Sequence, residues 1–102
     1  MAVKLTPFDP AAYLTDAESV NEYLRIALET NDPREIVEAL SDVTRARGGV
    51  DELAEETGLA PVLLTKALSR DGNPDLATLT RILAALGVRL TVAAHPAESV
   101  AA

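Results

Sequence analysis

The chain has 102 residues with 16 acidic and 9 basic side chains, a net charge of −7, and no cysteine. That length supports one modest core with an appended element, and the missing thiols exclude disulfide frameworks and thiolate metal sites. No apolar run approaches the ~20 residues that cross a bilayer and no signal-like segment opens the chain, so a soluble, cytoplasmic protein with no membrane attachment is expected.

The opening stretch, 1–14, contains Pro7, Phe8, Asp9, Pro10, Tyr13 and Leu14, and its prolines prevent a long helix. It holds the chain's one Phe and one of its two Tyr. Such aromatics either fold back onto the core or are buried by a partner. Thr15 and Glu18 have the spacing of a capping box. Val20, Tyr23, Leu24, Ala27 and Leu28 then recur at i, i+3, i+4, i+7 and i+8, which predicts an amphipathic helix over Asp16 to Thr30. On its outer face Arg25 and Glu29 are four apart and can pair.

Asp32, Pro33 and Glu35 announce a second helix, with a cap, a proline at the first helical position and an acid near the positive dipole end. Ile36, Val37, Leu40 and Val43 form its buried stripe. It runs to about Arg47, where Arg45 and Arg47 suit the negative end and Gly48 and Gly49 stop it.

Val50 to Ser69 is the stretch the rest serves. Two short helices meet at Gly58, where a left-handed backbone costs glycine nothing, and Pro61 starts the second. Leu53, Thr57 and Leu59 share a wedge of core with Leu64, Ala67 and Leu68, and Ala54 is small where the helices cross. This is the layout of a helix-turn-helix, with a plain helical hairpin as the alternative.

Arg70-Asp71-Gly72-Asn73-Pro74 reads as a turn. Asn73 caps, and Pro74 begins, a last helix with Leu76, Leu79, Ile82, Leu83 and Leu86 facing inward and Gly87 closing it. Val88-Arg89-Leu90-Thr91-Val92 alternates as a short strand would. The chain offers no second strand, so Val88, Leu90 and Val92 either pair with the same strand of another copy in a two-fold dimer or pack as an extended tail. From His95, the one histidine, to Ala102 the composition predicts a mobile tail.

The acidity is uneven. Residues 1–59 hold 13 acidic and 5 basic side chains, whereas 60–97 set Lys66, Arg70, Arg81 and Arg89 against Asp71 and Asp75. Two faces with two kinds of partner would explain this, as would plain solubility of acidic helices.

The order of elements, with Arg45-Ala46-Arg47-Gly48, Leu53 to Leu59, Lys66-Ala67-Leu68-Ser69, Gly72-Asn73-Pro74 and Ala84 to Leu90, resembles the addiction-module antidote proteins. These are antitoxins with a phage-repressor-like helix-turn-helix. The resemblance also takes in Phe8-Asp9 and Tyr13-Leu14. It implies an all-α, five-helix domain with a short C-terminal strand. Residues 1–31 would be a toxin-binding extension, 32–94 the helix-turn-helix domain with its strand, and 95–102 a tail. It further implies direct neutralisation of a basic RelE/ParE-like toxin and repression of its own operon by a homodimer on operator DNA. Phe8, Tyr13, Leu14, Tyr23 and Leu24 are the candidate toxin contacts.

The reading helix departs from the family. Where polar side chains are usual, this chain has Ala60, Pro61, Val62 and Thr65. Apolar groups in the major groove reach only the thymine methyl, which Val62 and Thr65 could contact, while Lys66 and Arg70 suit phosphate. Two other readings stand beside the antitoxin: a prophage-type regulator without a toxin, and a protein-interaction module that has lost DNA reading. No nucleophile–base pair, metal set or phosphate loop suggests an enzyme or a cofactor.

Overall fold

The computed structural model describes residues 10–94, and in them three aspartates open the three longest helices. Helix α1, Ala17–Glu29, starts at Asp16, whose carboxylate accepts the Ser19 N–H at 2.7 Å while the Ser19 hydroxyl accepts the Asp16 N–H at 3.3 Å. The capping box expected at Thr15 and Glu18 is therefore displaced by one residue, because a carboxylate caps better than a threonine hydroxyl and Ser19 can answer it. Helix α2, Pro33–Ala46, starts as expected: Asp32 accepts the Arg34 N–H at 3.0 Å and Pro33 occupies the first turn.

Helix α5, Leu76–Ala85, corrects a second expectation. Its cap is Asp75, which accepts the Thr78 N–H at 2.8 Å, not Asn73 followed by Pro74. The later start turns Leu76 outward, 69% exposed, instead of into the core. Between α2 and α5 lie two shorter helices, α3 (Val50–Thr57) and α4 (Pro61–Ala67). A 3₁₀ turn, Pro10–Tyr13, precedes α1.

One core joins these elements. Leu14, Val20, Leu24 and Ala27 from the amino-terminal part meet Ala39, Leu40 and Val43 of α2, Leu53 and Ala54 of α3, Leu64 and Leu68 around α4, and Ile82, Leu83 and Leu86 around α5. Helix α2 carries the 3₁₀ turn and α1 on one side and meets α3, which in turn packs on α4 and α5. Burial of these aliphatic faces, about 25 cal/mol per Å² of apolar surface, is the main stabilising term. Arg47 adds a polar tie: at the end of α2 its guanidinium donates to the Leu86 carbonyl at 3.0 Å, one of the carbonyls the end of α5 leaves unpaired.

Residues 88–94 form neither helix nor paired strand in the single chain, and no strand is present among the described residues. Val88 turns back, its N–H donating to the Leu83 carbonyl at 3.0 Å and its side chain packing on the core. Leu90 and Val92 face outward, the latter 99% exposed. Such a segment has no hydrogen-bonded ladder without a mate, and the described residues supply none. No described helix is long and apolar enough to cross a membrane.

Candidate functional site

Neither α3 nor α4 is opened by a side-chain cap: Gly49 precedes the first and Ala60 the second. Their geometry is set at the elbow between them. Gly58 has φ 75°, in the left-handed region that L side chains resist, and its N–H closes α3 on the Ala54 carbonyl at 2.9 Å. Thr57 fixes the exit, its hydroxyl donating to the Leu53 carbonyl at 2.8 Å and accepting the Leu59 N–H at 3.2 Å. Leu53 and Ala54 on one side and Leu64, Ala67 and Leu68 on the other are buried, as the spacing predicted.

With that side buried, the rest of α4 faces outward. Ala60, Pro61, Thr65, Lys66 and Arg70 are exposed and Val62 is 77% exposed. All six residues singled out for DNA therefore lie on the surface. Leu63, 42% exposed, joins them and was not anticipated. A seven-residue helix is too short for periodicity to separate a core leucine from a surface one.

The residues singled out for a toxin are placed unevenly. Tyr13 is 67% exposed, Leu14 and Leu24 lie in the core, Tyr23 is half-buried, and Phe8 lies outside the described residues. The Tyr23 hydroxyl donates to Asp42 Oδ2 at 2.5 Å, and Arg45 Nη2 meets Asp42 Oδ1 at 3.1 Å. This buried carboxylate pins α1 to α2. Burial, the hydrogen bond to Asp42 and the nearby acids push the Tyr23 hydroxyl well above its ordinary value of 10.0. Sequence reasoning missed Asp42, although an acid between Ala39 and Val43 interrupts an apolar stripe. On the outer face of α1, Arg25 pairs with both Glu22 and Glu29 at 2.5 Å. The hydrogen bond from Arg25 and its charge hold the Glu22 carboxyl below its ordinary range.

An open polar groove of about 660 Å³ runs between α2 and the end of α4, with Arg34, Glu38, Asp42 and Arg45 on one side and Leu68 and Arg70 on the other. No group of three His, Cys, Asp or Glu side chains that could hold a metal occurs among the described residues. Val88, Leu90 and Val92 lie at the carboxyl end of α5, with only Val88 seated on the core.

Together these features describe an all-helical arrangement among the described residues, with Asp51, Glu52, Glu55 and Glu56 exposed on α3 and Val62, Leu63, Thr65 and Lys66 exposed on α4. A family model described as "Probable addiction module antidote protein" matches residues 4–94, and the chain belongs to that family. A Haemophilus influenzae protein described only as an uncharacterized protein is 36% identical over 92 residues, covering 90% of this chain and 94% of its own. No solved structure matches the chain significantly. Membership in an antidote family carries an antitoxin role and a toxin as partner.

Proposed function

We propose that this chain is the antitoxin of a type II module that neutralises a RelE/ParE-like toxin by direct binding and represses its own operon as a homodimer. The observation that carries the repressor half is the outward face of α4, held against α3 by the left-handed Gly58, in the manner of a helix-turn-helix. In a major groove Val62 and Thr65 would meet thymine methyl groups, while Lys66 and Arg70 would meet phosphate. Val88, Leu90 and Val92 would pair across the dimer, which the outward Leu90 and Val92 favour. The toxin half rests on the family and on the acidic front of the chain, with Tyr13 as the exposed aromatic.

The purified protein should shift a fragment of its own promoter. Lys66→Ala should weaken binding to all sequences alike and lower the salt slope by about one. No shift at low salt would remove the repressor half. The product of the neighbouring reading frame should co-purify, and failure there would remove the other half. A second reading, an interaction module without DNA reading, is favoured by Val62 and Leu63 on α4 and four carboxylates on α3. The same promoter shift separates it from the first.

A further inference from the structure

Helix α3 is strongly acidic. Asp51, Glu52, Glu55 and Glu56 are half of its eight residues, all exposed, and it carries no basic residue. Positions i, i+1, i+4 and i+5 fall on one side of a helix, opposite the buried Leu53 and Ala54. None of the four makes an ion pair among the described residues. A few residues on, across the Gly58 elbow, Val62 and Leu63 expose aliphatic surface. Aliphatic side chains left in water gain from burial, and unpaired carboxylates gain from an approaching cation.

We propose that the outward face of α4, together with the acids of α3 across the Gly58 elbow, docks a cationic protein surface bearing an apolar patch, namely the toxin. Toxin and operator then compete for α4, and toxin binding lifts repression. This rests on the antitoxin reading above and adds the surface and the direction of regulation.

The test uses the full chain and the purified product of the neighbouring reading frame. Wild type is titrated first by calorimetry; absence of binding refutes the antitoxin reading itself. With binding present, Glu55→Lys/Glu56→Lys and Val62→Ser/Leu63→Ser should each weaken it at least about tenfold, and the first should also flatten its salt dependence. Unchanged affinity in both folded variants overturns the proposal. Amide exchange on the wild-type pair gives a readout free of folding effects. Residues 51–66 should gain at least several-fold protection when the partner is added. Protection confined to other helices overturns the proposal, as does protection of 51–66 that follows the chain's own concentration, since a second copy would then cover the face. Finally, an equimolar amount of the partner should strip the chain from its promoter fragment, whereas a stable ternary complex overturns the competition.

Discussion

The two helical pairs of this chain are held by different means. Helices α1 and α2 begin on charged side-chain caps, Asp16 and Asp32, and are joined by the half-buried Tyr23–Asp42 hydrogen bond. Helices α3 and α4 begin on Gly49 and Ala60, which cap nothing, and are joined by a left-handed glycine and by Leu53 and Leu64 inside the core. At eight and seven residues, both are below the ~12–15 that hold a helix in isolation. The first pair stabilises its own ends. The second takes its shape from the core and the backbone, not from capping side chains.

The largest effect should come from the backbone on which α4 depends. A Cβ at Gly72 would lie 2.0 Å from the Ala67 carbonyl oxygen, a backbone atom that cannot swing away. Gly72→Ala is expected to cost about 3 kcal/mol or more, measured by urea unfolding, and to loosen α4 first in amide exchange. By contrast, a Cβ at Gly58 would meet nothing within 4 Å, and only its φ of 75° resists. Gly58→Ala should cost about 1 kcal/mol. If Gly72→Ala loosened α1 and α2 before α4, the second pair would not be the dependent one.

The next effect falls on the first pair. Tyr23→Phe removes a hydrogen bond to a buried carboxylate but leaves Asp42 its contact with Arg45, so a loss of about 1.5 kcal/mol is expected near neutrality. The Tyr23 hydroxyl titrates above its ordinary 10.0 in the fold. Its contribution is therefore complete below pH ~10 and is lost as the pH rises beyond that value. Thermal melts should show the gap between wild type and Tyr23→Phe narrowing above pH ~10. A gap constant with pH would mean that the hydroxyl does not hold α1 to α2.

The same contrast decides what could be read from the residues alone. The spacing of Val20, Tyr23, Leu24 and Ala27 and of Ile36, Val37, Leu40 and Val43 marks packed stripes, and Gly58 with Pro61 marks the elbow, because local geometry fixes each; Leu28, read into the first stripe, is instead exposed one turn past Leu24 at the end of α1. The caps slipped because neighbouring residues compete: Thr15 with Asp16, and Asn73 with Asp75. The Tyr23–Asp42 contact joins residues 19 apart on different helices and needs the packing to be known. Alternation in Val88 to Val92 was legible, but no strand forms from it among the described residues, since a ladder needs a second edge that these residues do not supply. On α4 the outward Ala60, Pro61, Val62, Thr65 and Lys66 follow from the buried Leu64, whereas Leu63 sits at the edge of that face and short helices give no warning of it.

A smaller effect comes from exchanging the caps between the pairs. Asp32→Ala should cost about 1 kcal/mol. Ala60→Ser places a hydroxyl just before Pro61, where α4 has no side-chain cap, and should add up to about 1 kcal/mol. Urea midpoints of the two variants should move in opposite directions. A stabilised α4 with unchanged promoter binding would show that its end is a structural gap and not a contact.

The smallest effect is at acid pH. Asp16 and Asp75 are held below the ordinary carboxyl value of 3.8, first by the backbone N–H each accepts, from Ser19 and Thr78, and then by a side-chain hydrogen bond from the same residue. A depressed folded-state value means that the caps contribute fully above pH ~4 and fade as the pH falls through it. Asp16→Ser keeps a cap that does not titrate, so its unfolding midpoint should fall less than that of wild type between pH ~5 and ~3. Resolved by residue, the acid loss of amide protection should begin at the first turns of α1 and α5. Helices α3 and α4 have no capping carboxylate to lose, so they should follow only when the core they lean on gives way.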